Sequence, residues 1–265
     1  IIRKTRILIR KECVLKRGLY QKGWSCLEHF NKMIVEQEYR VKLSEIGQDN
    51  KITNKAILSD FEDVGGIHSN IAGYGVLDIP TTHLTWLLLD WRLQVIRRPN
   101  YSEKIKVKTW SRHALKCYAF RDFEVCDEQG NIIAIAASKW VLVDTEKGKI
   151  VRVSDEVLGS YNPEIDRKVF ENEQFDKILE PESFQREVKY TVKRADIDVN
   201  EHMHNLNYWD LANEALPEEV YSNNNFNDIR ISYKKEIKLG ETVKCKYTFE
   251  NDKHIVTVQS EDDTI

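Results

Sequence analysis

Shifted by 151 residues, the chain lies over itself without a gap: Glu38-Tyr39-Arg40-Val41-Lys42 falls on Lys189-Tyr190-Thr191-Val192-Lys193, Glu45 on Asp196, Ile46 on Ile197 and Asn54 on Asn205. A repeat of that period restricts the chain to two copies of one unit. In each copy an alternating segment leads into a helical pattern and then several strand patterns. The first helix, 54–70, sets Ile57, Leu58, Phe61, Val64 and Ile67 on one face. The second, 205–220, does the same with Leu206, Trp209, Ala212, Leu216 and Val220. Strand patterns follow at 85–96, 104–111, 118–127 and 132–144, then at 228–236, 242–250 and 254–260. They are rich in Val, Ile, Trp and Phe and are separated by turn signals such as Arg98-Pro99-Asn100.

A strand, one long helix and a run of antiparallel strands that wraps it is the element order of a hotdog unit. Two in tandem predict an α+β double hotdog. The expected divisions are an N-terminal hotdog at 33–154, a polar linker at 155–184 containing Pro163 and Pro181, and a C-terminal hotdog at 185–265. Residues 1–32 read as a leader outside the fold, translated from upstream of Met33; an organelle transit peptide is the alternative, although Ser is scarce. At the other end, Asp262 and Asp263 read as a turn whose return strand is missing.

Charge sharpens this division. The leader carries nine Lys/Arg and two Asp/Glu, so the body bears −10 although the whole chain is only −3. An acidic body argues against nucleic-acid binding, which needs a basic footprint. No stretch approaches the ~18 consecutive apolar residues of a membrane helix. The five Cys show no CxxC pair, so they read as reduced thiols of a cytoplasmic protein and not as a metal site. No Gly-rich phosphate loop is present, and no cofactor is expected.

The segment Asp196-Ile-Asp198-Val-Asn200-Glu-His202-Met-His204-Asn205-Leu-Asn207-Tyr208 resembles the DxDxNxHxNNxxY signature of acyl-acyl-carrier-protein thioesterases. Ile231-Ser-Tyr233-Lys-Lys-Glu236 is similar to that family's Y-R-R-E segment. Thr85-Trp86-Leu87-Leu88, Thr109-Trp110, Phe120-Arg121-Asp122-Phe123 and 138–144 look like its earlier blocks. The resemblance runs from about Val35 to the end, and is closer to the bacterial type than to plant FatA/FatB, because no clear plastid leader is present. It implies hydrolysis of acyl-carrier-protein thioesters in fatty acid biosynthesis, with Asp198, Asn200, His202 and Glu236 as catalytic residues. There are two departures. His204 stands where the family has Asn, and Ile237 stands where plant members often carry Cys. The resemblance therefore implies water attack without a cysteine nucleophile.

Chemistry alone gives a compatible reading. In an extended segment Asp198, Asn200 and His202 share one face, just before a helix whose first N–H groups suit an oxyanion. The same residues also read as a turn, with Asn205 as N-cap and His202 in solvent. Glu236 is the candidate general base; otherwise Lys234-Lys235-Glu236 is a solvated strand end. Asp198 would orient Asn200 or fix the His202 tautomer. His204 has the parity to join them, or to be a capping or surface imidazole. The first repeat holds Gly47, Asp49 and Lys51 at the matching places and Arg98 near the place of Glu236, so only the second half is expected to be catalytic.

The acyl chain is expected in the first half, between its helix and sheet, with Phe61, Trp86, Leu88 and Trp110 as lining or core residues. An acidic carrier protein would dock on a local basic patch, for which Arg97, Arg98, Lys104, Lys106, Lys108 and Lys139 are candidates; a solvated sheet face is the plainer reading. A double hotdog already contains an internal dimer, so monomer and homodimer are both open. The alternatives on the same fold are an acyl-CoA thioesterase and a non-catalytic acyl-binding regulator.

Overall fold

The computed structural model describes residues 5–10, 34–172, 175–223 and 225–261. Strand β1 (Thr5–Arg10) comes first. The first half follows with β2 (Val35–Arg40), α1 (Asn54–Ile71), the short α2 (Ile79–Thr82), then β3 (Leu84–Val95), β4 (Lys104–Leu115), β5 (Tyr118–Asp127), β6 (Ile132–Asp144), β7 (Lys149–Ile150) and α3 (Asp155–Ser160). The second half runs β8 (Arg186–Thr191), α4 (Asn207–Ala215), α5 (Glu218–Asn223), β9 (Asp228–Ser232), β10 (Thr242–Glu250) and β11 (Lys253–Ser260).

The strands form one antiparallel sheet in the order β2-β4-β5-β6-β3-β9-β1-β11-β10-β8, with β7 added beside β6. Helix α1 packs on β2 and β4, and α4 packs on β8, β10 and β11. This is the double hotdog predicted from the element order. The two halves meet where β3 pairs with β9, from Asp90 opposite Ser232 to Gln94 opposite Asp228.

The repeat holds residue by residue at its start. The bridge Ile46–Ile52 recurs as Ile197–Met203. Non-glycine left-handed backbone at Asn50 (φ 62°) recurs at Glu201 (φ 63°). The sheet also shows what the repeat did not predict. In the first half β6 lies between β5 and β3. In the second half the corresponding place, between β11 and β9, is filled by β1.

Part of the expected leader is therefore a strand inside the sheet. Ile7 is fully buried in the main core, and Leu8 packs with Ile178 and Ile255. Arg6 reaches the linker, where its guanidinium donates to the Ile178 carbonyl and to Glu180. The short apolar run Ile7–Ile9 is too brief to stand out from its basic surroundings, yet suffices for a strand flanked on both sides. The rest of the leader, with Met33, Cys13 and Cys26, lies outside the described residues, as do Asp262 and Asp263.

Other boundaries moved for local reasons. Thr53 caps α1, its hydroxyl accepting from the Ala56 N–H (3.2 Å). The second helix is shorter than expected because Pro217 cannot continue it, and the chain resumes as α5. Asn205 does not cap α4, which has Leu206 at that place. The linker is more than a connection: Val157 and Tyr161 pack with Leu142 and Val153, and Phe170 lies under the Arg92 guanidinium at 3.9 Å.

Candidate active site

The signature segment folds as a tight turn and not as the extended run expected. Asp198 N–H donates to the His202 carbonyl (2.9 Å), Glu201 N–H donates to the Asp198 carbonyl (3.1 Å), and Glu201 takes the left-handed conformation. The Ile197–Met203 bridge closes the base of this turn. Two-residue spacing therefore does not put Asp198, Asn200 and His202 on one face. Asp198 turns inward and accepts the Asn200 N–H on one oxygen (2.8 Å). His202 points the other way, its Nε2 3.1 Å from Glu236 Oε2.

Glu236 sits in the segment after β9, beyond the end of regular pairing at Ser232. That segment is held against the turn: Met203 N–H donates to the Ile237 carbonyl (2.8 Å), and the Tyr208 hydroxyl donates to the Lys235 carbonyl (3.2 Å). The pair faces solvent, with His202 25% and Glu236 56% exposed.

A cavity of about 480 Å³ opens between α1 and the first-half sheet, where the acyl chain was expected. One end is polar, formed by Glu62, Asp198, Asn200, His204 and Asn205. The remainder is largely apolar and aromatic, with Trp86, Phe120, Trp140, Val153, Leu158 and Tyr161. Neither His202 nor Glu236 is among its walls. Gly66 lines it from α1, and a Cβ placed there meets no atom within 4 Å.

Of the four expected lining residues, only Trp86 reaches the cavity; its indole N–H donates to the Tyr161 hydroxyl (2.9 Å). Phe61 is fully buried against Trp91 and Phe123, at ring separations of 6.1 and 4.8 Å. Leu88 belongs to the same core. Trp110 is fully buried and donates to the Arg167 carbonyl (3.1 Å). Bulk and sequence position did not separate core from cavity, because the wall nearest the linker is built by Tyr161 and its neighbours.

Glu62 is the residue that sequence reasoning missed. It lies just off the apolar stripe of α1 and reads as a solvated polar position. The second half brings Asp198 and His204 of the turn to its end of the cavity. Glu62 Oε2 is 3.5 Å from His204 Nε2, and its side chain keeps 20% exposure. Burial, reinforced by the Asp198 carboxylate, pushes the Glu62 carboxyl up to about 8. Burial also lowers the His204 imidazole, with Asp198 opposing and Lys55 adding to the shift. His204 Nδ1 accepts from the Leu206 N–H (3.3 Å), which assigns the proton of the neutral ring to Nε2.

Deeper in the cavity, Arg121 NH1 is 2.7 Å from His68 Nδ1 and donates to Thr109 Oγ1 (3.2 Å). Burial first, and the Arg121 charge second, lower His68 to about 3, so this imidazole is neutral. Among the described residues no cysteine lines the cavity. Cys245 is buried and burial pushes it up to about 12, and Ile237 is buried beside Glu236.

The basic candidates divide. Arg98 is consumed at the junction between halves: it donates to the carbonyls of Ile52, Asn225 and Phe226 and to the side chains of Asn54 and Asn227. Lys104, Lys106 and Lys108 alternate with buried Ile105 and Val107, so they share the outer face of β4. Lys106 is near Glu36 and Glu38, Lys104 near Glu128, and Arg97 near Glu103 and Asp127. Lys139 lies over the Tyr118 ring at 4.2 Å.

The sequence profile of the acyl-ACP thioesterase N-terminal domain matches residues 32–161, and that of the C-terminal domain matches residues 179–264. An oleoyl-acyl carrier protein thioesterase of Coriandrum sativum is 25% identical over 224 residues, 78% of this chain and 60% of its own length. One from Arabidopsis thaliana is 24% identical over 237 residues, 84% of this chain and 65% of its own. The chain thus spans less than two thirds of these curated relatives. Among solved structures, an acyl-ACP thioesterase from Bacteroides thetaiotaomicron superimposes with a TM-score of 0.72 at 19% identity, covering 85% of this chain and 98% of that one. The 12:0-ACP thioesterase from Umbellularia californica gives 0.72 at 19%, covering 86% and 98%. Both share the fold.

Proposed function

The chain belongs to the acyl-ACP thioesterase family, and from that premise we propose that it hydrolyses acyl-acyl-carrier-protein thioesters, releasing free fatty acid and carrier-protein thiol in fatty acid biosynthesis. The observation that carries this reading is a single cavity with an apolar interior in one half and a polar end built by the signature residues of the other. An acyl chain buried among Trp86, Phe120, Trp140 and Tyr161 gains roughly 0.8 kcal/mol per CH₂. It leaves its thioester at Asp198 and Asn200.

In this proposal Asn200 and Asp198 hold the carbonyl and the attacking water. The water oxygen bonds to the carbonyl carbon, one of its protons passes toward Glu236, and the carbon–sulfur bond then breaks, the departing thiolate taking up a proton from solvent. Because neither His202 nor Glu236 lines the cavity, the proton reaches Glu236 through intervening water, and His202, 3.1 Å from Glu236, positions its carboxylate. Buried Ile237 and the raised Cys245 thiol are in keeping with water as the nucleophile.

The partner is proposed to be the acidic carrier protein, docking on the Lys104, Lys106, Lys108 and Arg97 face without Arg98. The ion pairs now on that face are solvent-exposed and cost little to exchange for a partner's carboxylates. The free thiols Cys117, Cys126 and Cys245 suit a reducing cytoplasm.

The test is thiol release measured side by side from acyl-carrier-protein and acyl-CoA over a series of chain lengths. Faster turnover of the carrier-protein thioester is expected. Preference for CoA would make this an acyl-CoA thioesterase, and saturable binding without thiol release would make it a binding protein.

A further inference from the structure

Two carboxyls face the cavity's polar end, Asp198 from the second half and Glu62 from the first. Their surroundings differ. Asp198 accepts a backbone N–H at 2.8 Å, a contact suited to a carboxylate. Among the described residues no backbone N–H donates to Glu62. Its Oε2 faces the Nε2–H of His204 at 3.5 Å, leaving Oε1 to carry a proton. We propose that Glu62, as a neutral carboxylic acid, donates a hydrogen bond to the thioester carbonyl oxygen and stabilises the negative charge that grows there when water adds.

This inference rests on thioester hydrolysis occurring at the cavity. Glu62 keeps its proton throughout. The carbonyl π pair moves onto oxygen as the water oxygen bonds to carbon, and it returns when the thiolate departs and takes up a proton from solvent. The charged and titratable groups around Glu62 are Asp198 and His204 on the turn, Tyr233 after β9 and Arg121 across the cavity, with Lys55 acting on His204. Burial and the nearby Asp198 charge keep the acid protonated at neutral pH, the condition under which a carboxyl in an apolar site serves as a donor. Above about pH 8 the proton is lost, and a carboxylate at the same place repels the developing oxyanion.

The experiment compares pH profiles of kcat/KM for acyl-carrier-protein hydrolysis by the full chain, Glu62→Gln and Glu62→Leu. The Gln amide retains a donor and cannot ionise. Glu62→Gln is expected to stay within about tenfold of wild type at pH 7 and to lose the alkaline decline near pH 8. Glu62→Leu is expected to fall by about 10²–10³, the effect of losing one oxyanion donor. If the Leu variant does not fold, the Gln profile decides alone. Retention of the alkaline decline in Glu62→Gln overturns the proposal, as does inactivity of that variant, which would instead make Glu62 a base. A wild-type chain that releases no thiol overturns the hydrolase reading and this inference with it; an active wild type beside an inactive Glu62→Gln overturns only the inference.

Discussion

Asn50 and Glu201 stand 151 positions apart in the chain and turn it the same way, at φ 62° and 63°. Both close the same bridged turn. In one copy that turn carries Asp198 and Asn200 into a cavity. In the other, Asp49 accepts the Lys51 N–H (3.1 Å) and Lys51 bridges to Asn100, so the turn serves packing against the Arg98 loop. One backbone device thus has two uses, set by the side chains it carries.

Glu236→Gln is expected to lower kcat by at least about 10² with KM little changed, the size of a general-base contribution. Asn200→Ala and His202→Ala should each be damaging, and the double variant less than additive because both serve one step. Steady-state kinetics on acyl-carrier-protein decides this. Wild-type turnover by folded Glu236→Gln would move the base elsewhere.

Gly66→Leu should shift preference toward shorter acyl chains. The new side chain enters open cavity space, and the helix tolerates it, since Gly is the costlier residue there by about 1 kcal/mol. Chain-length profiles with an unchanged or raised Tm are the expected readout. An unaltered profile would place the acyl chain away from α1.

Arg98→Ala should destabilise the fold while leaving the chemical step intact. The half-buried guanidinium satisfies acceptors from both halves, and the part-buried carbonyls of Ile52 and Phe226 would cost about 1–3 kcal/mol each if left without a donor. A fall in Tm with unchanged kcat in the folded protein is expected; a rise in KM without a fall in Tm would restore Arg98 to the docking face.

Ile7→Ala should cost about 2–5 kcal/mol, as for other fully buried Ile positions. Denaturant midpoints measure it. A chain starting at Met33, missing β1 altogether, is expected to lose more. Full stability in that shortened chain would show that β1 adds nothing to the sheet.

Cys245→Ala should leave kcat within a small factor, because a thiol pushed up to about 12 is not a nucleophile at neutral pH. A loss of about 10³ in a folded variant would contradict water attack.

Strands β3, β5 and β6 were legible almost to the residue, because period-two alternation over ten or more positions between turn signals has few other solutions, whereas β4 runs four residues beyond its expected end. So was α1, from its stripe. What escaped was contributed from far along the chain. Thr5–Arg10 is a strand only because β9 and β11 flank it. Glu62 reaches the cavity's polar end beside His204, which a turn from the other half brings to it. Spacing found Asp198 and Asn200 for the wrong geometric reason, since it assumed extended backbone where Glu201 turns the chain back.

The place of β1 also sets a timetable. On the ribosome Thr5–Arg10 is made before every other described strand, yet its neighbour β11 is made last. The first half can complete its sheet while synthesis continues, because β2 to β6 are close in sequence. The second half cannot. Until Ser260 has emerged, β1 offers an unpaired edge that invites association with other chains. Closing so long a loop is slow compared with pairing neighbours. The half that carries the signature turn is therefore the last to become native, so closure of the cavity's polar end should trail the folding of the half that supplies its apolar walls.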